Sequence, residues 1–123
     1  MPVNKHEHAR ILIVEDEPVL ALHLEELLVD AGFAIAGIAA KLDKALALIE
    51  RGACDAAIVD TNLAGVSASP IASALTARGV PFIVLSGYSS EQLPDAFSTA
   101  IFVRKPCRPA QIIQALNAIV LKQ

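Results

Sequence analysis

Short apolar runs alternate with longer amphipathic stretches along the chain. The first run, residues 11–14, is fully apolar and rich in β-branched side chains, which is typical of a strand buried within a parallel sheet. Four similar runs follow, at residues 33–39, 56–59, 80–85 and 101–103. The pattern therefore predicts five strands, none of which has the strict apolar–polar alternation of a strand with one solvated face.

The stretches between these runs have apolar residues at helical spacing. The first predicted helix starts at Pro18, a residue favoured in the first helical turn, and Gly32 is a plausible stop. Two more helices are predicted over residues 42–51 and 71–78, and a last amphipathic helix follows Pro109. With a further, less regular helix expected within residues 86–99, strand and helix alternate five times, which predicts a doubly wound α/β fold with a parallel sheet between helical layers.

Two segments have a less regular pattern. Residues 86–99 contain Gly87 and Pro94 among small polar side chains, so the fourth helix is predicted to be short or irregular. Residues 61–69 have the composition of a turn.

Composition narrows the class of protein further. The 123 residues suit one domain, and 54% apolar with 19% charged residues excludes a disordered chain. The net charge of −3, without a run of Lys or Arg, argues against general nucleic-acid binding. Two cysteines are too few for a disulfide framework, and no apolar segment suggests a signal peptide or a membrane span. We therefore expect a cytoplasmic protein that contacts neither nucleic acid nor membrane.

Polar side chains follow four of the predicted strands. Glu15 and Asp16 follow the first strand, Asp60 the third, Ser86 the fourth and Lys105 the fifth. Ligands of open α/β sheets bind outside the carboxyl ends of the strands, so these side chains are expected to meet at one edge. Clustered carboxylates favour a bound cation, and their oxygens suit Mg²⁺. A lysine and a hydroxyl can hold phosphoryl oxygens while a carboxylate acts as the nucleophile.

These motifs, in this order, resemble the receiver domain of bacterial two-component response regulators. The resemblance rests on Glu15-Asp16, Asp60, Ser86-Gly87 and Lys105-Pro106, and covers the chain from about residue 10 to 121. It implies a flavodoxin-like (βα)5 fold with strand order 2-1-3-4-5. It also implies a single-domain regulator with a flexible tail over residues 1–9 and a receiver domain over residues 10–122.

The resemblance assigns a role to each motif residue. Asp60 would be the phosphoacceptor, taking its phosphoryl group from the phosphohistidine of a sensor histidine kinase. Ser86 and Lys105 would contact the phosphoryl oxygens, and the Lys105-Pro106 peptide bond would be cis. The implied Mg²⁺ ligands are Glu15, Asp16, Asp60 and the backbone carbonyl of Asn62.

The same resemblance implies a switch. Ser86 would follow the phosphoryl group inward and Phe102 would swing with it, changing the face formed by the fourth helix, the fifth strand and the fifth helix. Output would then pass through contacts with an unknown downstream protein or through phosphate transfer, as a shuttle or sink, and not through an enzyme activity. Finer motifs resemble stand-alone receivers of an alphaproteobacterial stress-signalling subgroup: Pro81-Phe82, Ser86-Gly87-Tyr88 and Leu93-Pro94.

Three other functions are compatible with parts of the pattern. A phosphatase with an aspartyl nucleophile usually has a second acid two residues later, where this chain has Asn62. A flavodoxin-like cofactor binder would need a glycine-rich loop after the first strand, which is absent from the sequence. A phosphate-independent interaction module would normally lose the acids or the lysine, which are retained here.

Overall fold

The computed structural model describes residues 8–63, 65–87 and 95–120. In chain order the elements are β1 (Arg10–Val14), α1 (Pro18–Asp30), β2 (Ala34–Ala39), α2 (Leu42–Glu50), β3 (Ala56–Asp60), β4 (Asn62–Leu63), β5 (Val66–Ser67), α3 (Ser69–Ala77), β6 (Phe82–Ser86), a 3-10 turn (Asp95–Phe97), β7 (Ile101–Arg104) and α4 (Pro109–Val120).

Five of the strands form one parallel sheet in the order β2-β1-β3-β6-β7. Leaving aside the small β4–β5 hairpin, this is the strand order 2-1-3-4-5, so the predicted flavodoxin-like fold is confirmed. From β1 the chain passes to β2 at one edge of the sheet. From β3 it passes through β6 to β7 at the other edge. The carboxyl ends of β1 and β3 therefore lie side by side at the point where the order reverses, which is where such sheets bind ligands.

Helices cover both faces of the sheet, and each face has its own hydrophobic core. Alternate residues of β1 point to opposite faces, with Ile11 and Ile13 in one cluster and Leu12 and Val14 in the other. The first cluster includes side chains of α1 and α4, and the second includes side chains of α2 and α3. Burial on both sides explains why the strand sequences are continuously apolar.

The β4–β5 hairpin was not predicted. Its strands pair antiparallel, Asn62 with Ser67 and Leu63 with Val66, within the segment that had only turn composition. Gly65 adopts a φ of 85° at the bend, a conformation that glycine adopts without strain. Strands of two residues are too short to produce a recognisable alternation of polar and apolar side chains, so the sequence pattern does not predict them.

The predicted irregular region before β7 is described only in part. Asp95–Phe97 form a single 3-10 turn whose Phe97 is buried in the core that α2 and α3 cover. Tyr88, Leu93 and Pro94 lie outside the described residues, as does most of the proposed N-terminal tail. No helix among the residues that the structure describes is long and apolar enough to cross a membrane.

Truncation of a core side chain in the central strand is expected to be costly. Ile58 in β3 is fully buried, and Ile58→Ala should lower the free energy of unfolding by about 2–5 kcal/mol through lost burial and a cavity. Val66→Ala is the matched control, because Val66 is half exposed on the hairpin and should change stability by less than about 0.5 kcal/mol. Urea denaturation measures the free energy of unfolding of both variants. Equal midpoints for the two variants would contradict the assignment of Ile58 to the core.

Candidate functional site

The carboxyl edge of the sheet brings together side chains from four strand ends. Glu15 follows β1, Asp60 ends β3, Ser86 ends β6 and Lys105 follows β7. The first three are buried polar residues, with only 2%, 8% and 1% of their surfaces exposed. Because buried polar groups cost free energy unless they are paired, their presence at one edge indicates a built site.

Glu15, Asp16 and Asp60 form a compact carboxylate cluster. Each offers one oxygen, and these oxygens all lie within 4.8 Å of one another. The backbone N–H of Glu17 donates to Oε2 of Glu15 at 3.3 Å and so fixes one side of that carboxylate. Three oxygen donors on one side of an open edge fit Mg²⁺, which usually keeps several waters and takes one or two carboxylates from the protein.

Lys105 supplies the positive charge of the site. Its Nζ donates to Oδ2 of Asp60 at 3.1 Å and lies 3.8 Å from Oε1 of Glu15. Its backbone N–H donates to the carbonyl of Ser86 at 2.7 Å, which ties the lysine to the end of β6. The Lys105-Pro106 peptide bond is cis.

Burial and neighbouring charges shift the pKa values of two site residues, Glu15 and Lys105. Burial, followed by the hydrogen bond and the negative charge of Asp60, raises the pKa of Glu15 to about 7. Burial lowers the pKa of Lys105, but the hydrogen bond and charge of Asp60, together with the charges of Glu15 and Asp16, raise that pKa overall. The lysine is therefore fully protonated near neutral pH, whereas Glu15 is poised to gain or lose its proton there.

Sequence reasoning missed Thr61. Its Oγ1 donates to Oγ of Ser86 at 3.1 Å, and its backbone N–H donates to the carbonyl of Leu85 at 3.3 Å. Thr61 directly follows Asp60 and had been assigned to a turn by composition alone. The sequence feature that could have identified Thr61 as a site residue is its position directly after Asp60, the candidate phosphoacceptor.

Two other predicted site residues, Asn62 and Phe102, were assigned a backbone ligand and a switch role. Asn62 opens β4 two residues after Asp60, and the role of its carbonyl as a metal ligand stays a prediction. Phe102 lies on β7 opposite Val84 and is half-buried against the core on the α2 and α3 face. Its role in a switch stays a prediction.

Binding of Mg²⁺ is expected to depend on pH through Glu15. The raised pKa means that, without a cation, Glu15 favours the fold most when neutral, and this contribution is lost as the pH rises through about 7. A metal ion needs the ionised form, so its affinity should fall by up to roughly tenfold per pH unit below pH 7. Calorimetric titration at pH 6 and pH 8 measures this change.

The matched variants for this titration are Glu15→Gln and Glu50→Gln. The first should weaken Mg²⁺ binding and remove most of its dependence on pH. The second changes an exposed residue at the end of α2 and should behave like wild type. Equal affinities of the wild type at pH 6 and pH 8 would contradict the assigned ionisation of Glu15.

A parallel (βα)5 sheet with three acids and a lysine at its carboxyl edge defines a class of signalling module, the receiver domain. The chain belongs to the response regulator receiver domain family, whose model matches residues 11–117. Receiver domains are in general signalling modules that typically bind Mg²⁺ at an acidic pocket, and they imply a histidine kinase as partner.

Individual relatives agree with this assignment. The chain is 30% identical over 116 residues to the transcriptional regulatory protein PdtaR of Mycobacterium tuberculosis, covering 90% of this chain and 56% of PdtaR. The chain thus spans about half the length of the curated relatives that it matches. The solution structure of SdrG from Sphingomonas melonis Fr1 is 38% identical, with a TM-score of 0.77, and the match covers 92% of this chain and 96% of SdrG.

A more distant neighbour shows the fold alone. The receiver domain of PhyR from Erythrobacter litoralis is 23% identical with a TM-score of 0.81, covering 95% of this chain and 93% of that domain. Together the family match and the curated relative PdtaR support a response-regulator role in two-component signalling.

Proposed function

We propose that Asp60 is the phosphoacceptor of a response regulator and takes its phosphoryl group from a phosphohistidine of a sensor histidine kinase. The observation that supports this most directly is the 3.1 Å contact of Lys105 Nζ with Oδ2 of Asp60 inside the three-carboxylate cluster. This contact sets a nucleophilic oxygen beside the charge that a transferred phosphoryl group would need.

The proposed transfer is a single displacement at phosphorus. A carboxylate oxygen of Asp60 forms a bond to phosphorus while the bond from phosphorus to the imidazole nitrogen breaks. The electron pair of that bond stays with the imidazole, which takes a proton from solvent if it leaves unprotonated. A bound Mg²⁺ would neutralise the charge that accumulates on the carboxylates and the phosphoryl oxygens.

The chain's own residues orient the reactants. Lys105, already protonated and paired with Asp60, is placed to exchange part of that pairing for a phosphoryl oxygen. Ser86, fixed at the end of β6 by the backbone bond from Lys105, is placed to donate its hydroxyl proton to another. Glu15 and Asp16, with the carbonyl of Asn62, would complete the protein's side of the metal site.

Output is proposed to pass through protein contacts. Movement of Ser86 toward the phosphoryl group would shift the packing of Phe102 on the neighbouring strand β7, since Ser86 pairs with Arg104 and Val84 with Phe102. The affected face comprises residues 95–104 and α4, and the change is a shift between two populations of one fold. The domain over residues 10–122 would act without catalytic turnover, signalling to a downstream protein or serving as a phosphate shuttle or sink.

Intact mass spectrometry with peptide mapping tests the proposal. Wild-type protein incubated with acetyl phosphate should gain the mass of one phosphoryl group only when Mg²⁺ is present, and the adduct should map to Asp60. A phosphorylated histidine kinase is the second donor. Failure of both donors would contradict the proposal and favour a phosphate-independent interaction module, and an adduct on another residue would contradict the assignment of Asp60.

A further inference from the structure

The segment from β7 to the start of α4 has charges of one sign only. All 13 acidic residues of the chain lie within residues 1–95, whereas Arg104, Lys105 and Arg108 lie beyond them. Arg104 ends β7 and Arg108 directly precedes α4, so the two arginines flank the lysine of the carboxylate cluster. Both arginines are exposed, as is 33% of the Lys105 side chain. This side of the carboxyl edge is therefore basic and accessible to a partner.

The other three arginines of the chain have positions that account for them within the fold. Arg10 pairs with Asp55 at 3.3 Å. Arg51 and Arg78 are the C-cap residues of α2 and α3, where the negative end of the helix dipole favours a cation. These three side chains therefore need no partner outside the chain to explain their presence.

Arg104 and Arg108 have no such account within the fold. Arg108 precedes the first residue of α4, where the positive end of the helix dipole disfavours a cation. Its backbone N–H donates to Oε1 of Gln111 at 2.7 Å, a bond that does not involve the guanidinium. Among the residues that the structure describes, neither arginine forms an ion pair with an acidic side chain. Carboxylates of another molecule are the groups that suit two such guanidinium groups best.

The position of the two arginines beside Lys105 indicates which molecule this is. Nζ of Lys105 lies 3.1 Å from Oδ2 of Asp60, the proposed phosphoacceptor. A protein surface is far wider than this distance, so a protein that brings a phosphohistidine to Asp60 also covers the residues beside Lys105. Arg104 and Arg108 are then in reach of the surface that surrounds the phosphohistidine.

We propose that Arg104 and Arg108 form a docking pair for carboxylates of the phosphodonor protein, whose surface is acidic around its phosphohistidine. This inference rests on the proposed function. A guanidinium can bind a carboxylate through two parallel N–H···O bonds, which gives the contact a defined geometry. Opposite charges on two protein surfaces also speed their encounter and suppress association with wrong partners. The docking pair thus selects the donor and speeds its arrival, while the chemistry at Asp60 depends on the carboxylate cluster and Lys105.

Substitution of both arginines tests the docking pair, with the phosphorylated sensor kinase that phosphorylates the wild type as donor. The double variant Arg104→Gln with Arg108→Gln should lower the second-order rate constant of transfer by about three- to tenfold at about 50 mM salt. At about 300 mM salt the difference between wild type and variant should narrow, because salt screens exposed charges. Acetyl phosphate presents no protein surface, so uptake from it should change far less than uptake from the kinase.

The double variant Arg51→Gln with Arg78→Gln is the matched control. It also removes two exposed arginines, but these close α2 and α3 at the end of the molecule opposite the carboxyl edge. Transfer from the kinase should proceed at the wild-type rate in this variant. Replacement of Arg104 and Arg108 by lysine keeps both charges without the planar guanidinium and should recover part of the lost rate. Unfolding midpoints of all variants show whether a slower rate reflects lost stability.

The outcomes separate this inference from the function on which it rests. If no phosphorylated kinase phosphorylates the wild type, the proposed transfer from a phosphohistidine fails and the docking pair fails with it. If the kinase phosphorylates the wild type and the glutamine double variant at the same rate, the function stands and the docking pair is wrong. A variant that is slowed equally with kinase and acetyl phosphate, or equally at low and high salt, also overturns the docking pair, because the arginines would then act by another route.

Discussion

Asp60→Asn is expected to abolish phosphoryl uptake from both acetyl phosphate and a phosphorylated kinase. Asparagine has nearly the same shape as aspartate, but its amide is a poor nucleophile and carries no charge. The variant also loses the carboxylate that pairs with Lys105 at 3.1 Å, and it relieves Glu15 of one cause of its raised pKa. Intact mass spectrometry in the presence of Mg²⁺ is the measurement.

Asp55→Asn is the matched control for this change. Asp55 directly precedes β3, so it lies at the opposite end of the strand that Asp60 ends, and it pairs with Arg10 at 3.3 Å on the surface. The Asp55→Asn variant should be phosphorylated at the wild-type rate, because an exposed ion pair contributes only about 0–1 kcal/mol to stability. Labelling of Asp60→Asn at the wild-type rate, with the same peptide map, would show that another residue accepts the phosphoryl group.

Lys105→Met is expected to slow phosphoryl uptake by about two orders of magnitude, the usual cost of removing one positioned donor from a charge-stabilising site. Among the residues that the structure describes, Lys105 is the cation within 4 Å of both Glu15 and Asp60, so methionine leaves these two buried carboxylates without a compensating positive charge. The pKa of Glu15 should rise further for the same reason. Binding of Mg²⁺ should persist, because the three carboxylates proposed as its ligands remain.

Two measurements separate these effects of Lys105. Rates of uptake at saturating Mg²⁺ report on the phosphoryl contact, and calorimetric titration with Mg²⁺ reports on the metal site. Lys105→Arg keeps the charge in a different geometry and should fall between methionine and wild type. Lys44→Met removes an exposed lysine of α2 and should leave the rate unchanged. Loss of Mg²⁺ binding in Lys105→Met, without loss of structure, would show that the lysine organises the carboxylates instead of the phosphoryl group.

The parallel sheet was predictable because the hydrophobic pattern that determines it is long and redundant, whereas the strand order was implied by the family resemblance. Each of the five apolar runs lacks the polar residues that a strand with one solvated face would have, so helices must cover both faces of the sheet. In a parallel sheet of this kind the carboxyl ends of the strands lie at one edge. Glu15, Asp16, Asp60 and Lys105 were predicted to meet for that reason. In the structure the three carboxylates offer oxygens within 4.8 Å of one another, and Lys105 lies 3.8 Å from Glu15 and 3.1 Å from Asp60. Their chemical roles still await the experiments above.

Three features could not be predicted from the sequence, because they are very short or depend on the exact strand register and on burial. The β4–β5 hairpin has two residues per strand, and its formation depends on the bend at Gly65 and the burial of Leu63. The bond from Thr61 to Ser86 depends on the register of β3 against β6. The raised pKa of Glu15 depends on burial and on its separation from Asp60, neither of which a single sequence encodes locally.

Burial differs across the sheet in a way that bears on how the domain opens. Every residue of β3 and β6 is buried, whereas Ile101 and Phe102 of the outer strand β7 are only partly covered. Amides of the central strands should exchange with solvent deuterium only through unfolding of the whole domain, while those of β7 can exchange through smaller openings that cost less free energy. Asp60, the proposed phosphoacceptor, is thus expected to belong to the most cooperative unit of the protein, and Phe102, the proposed switch residue, to a weaker unit that a partner could reshape at low cost.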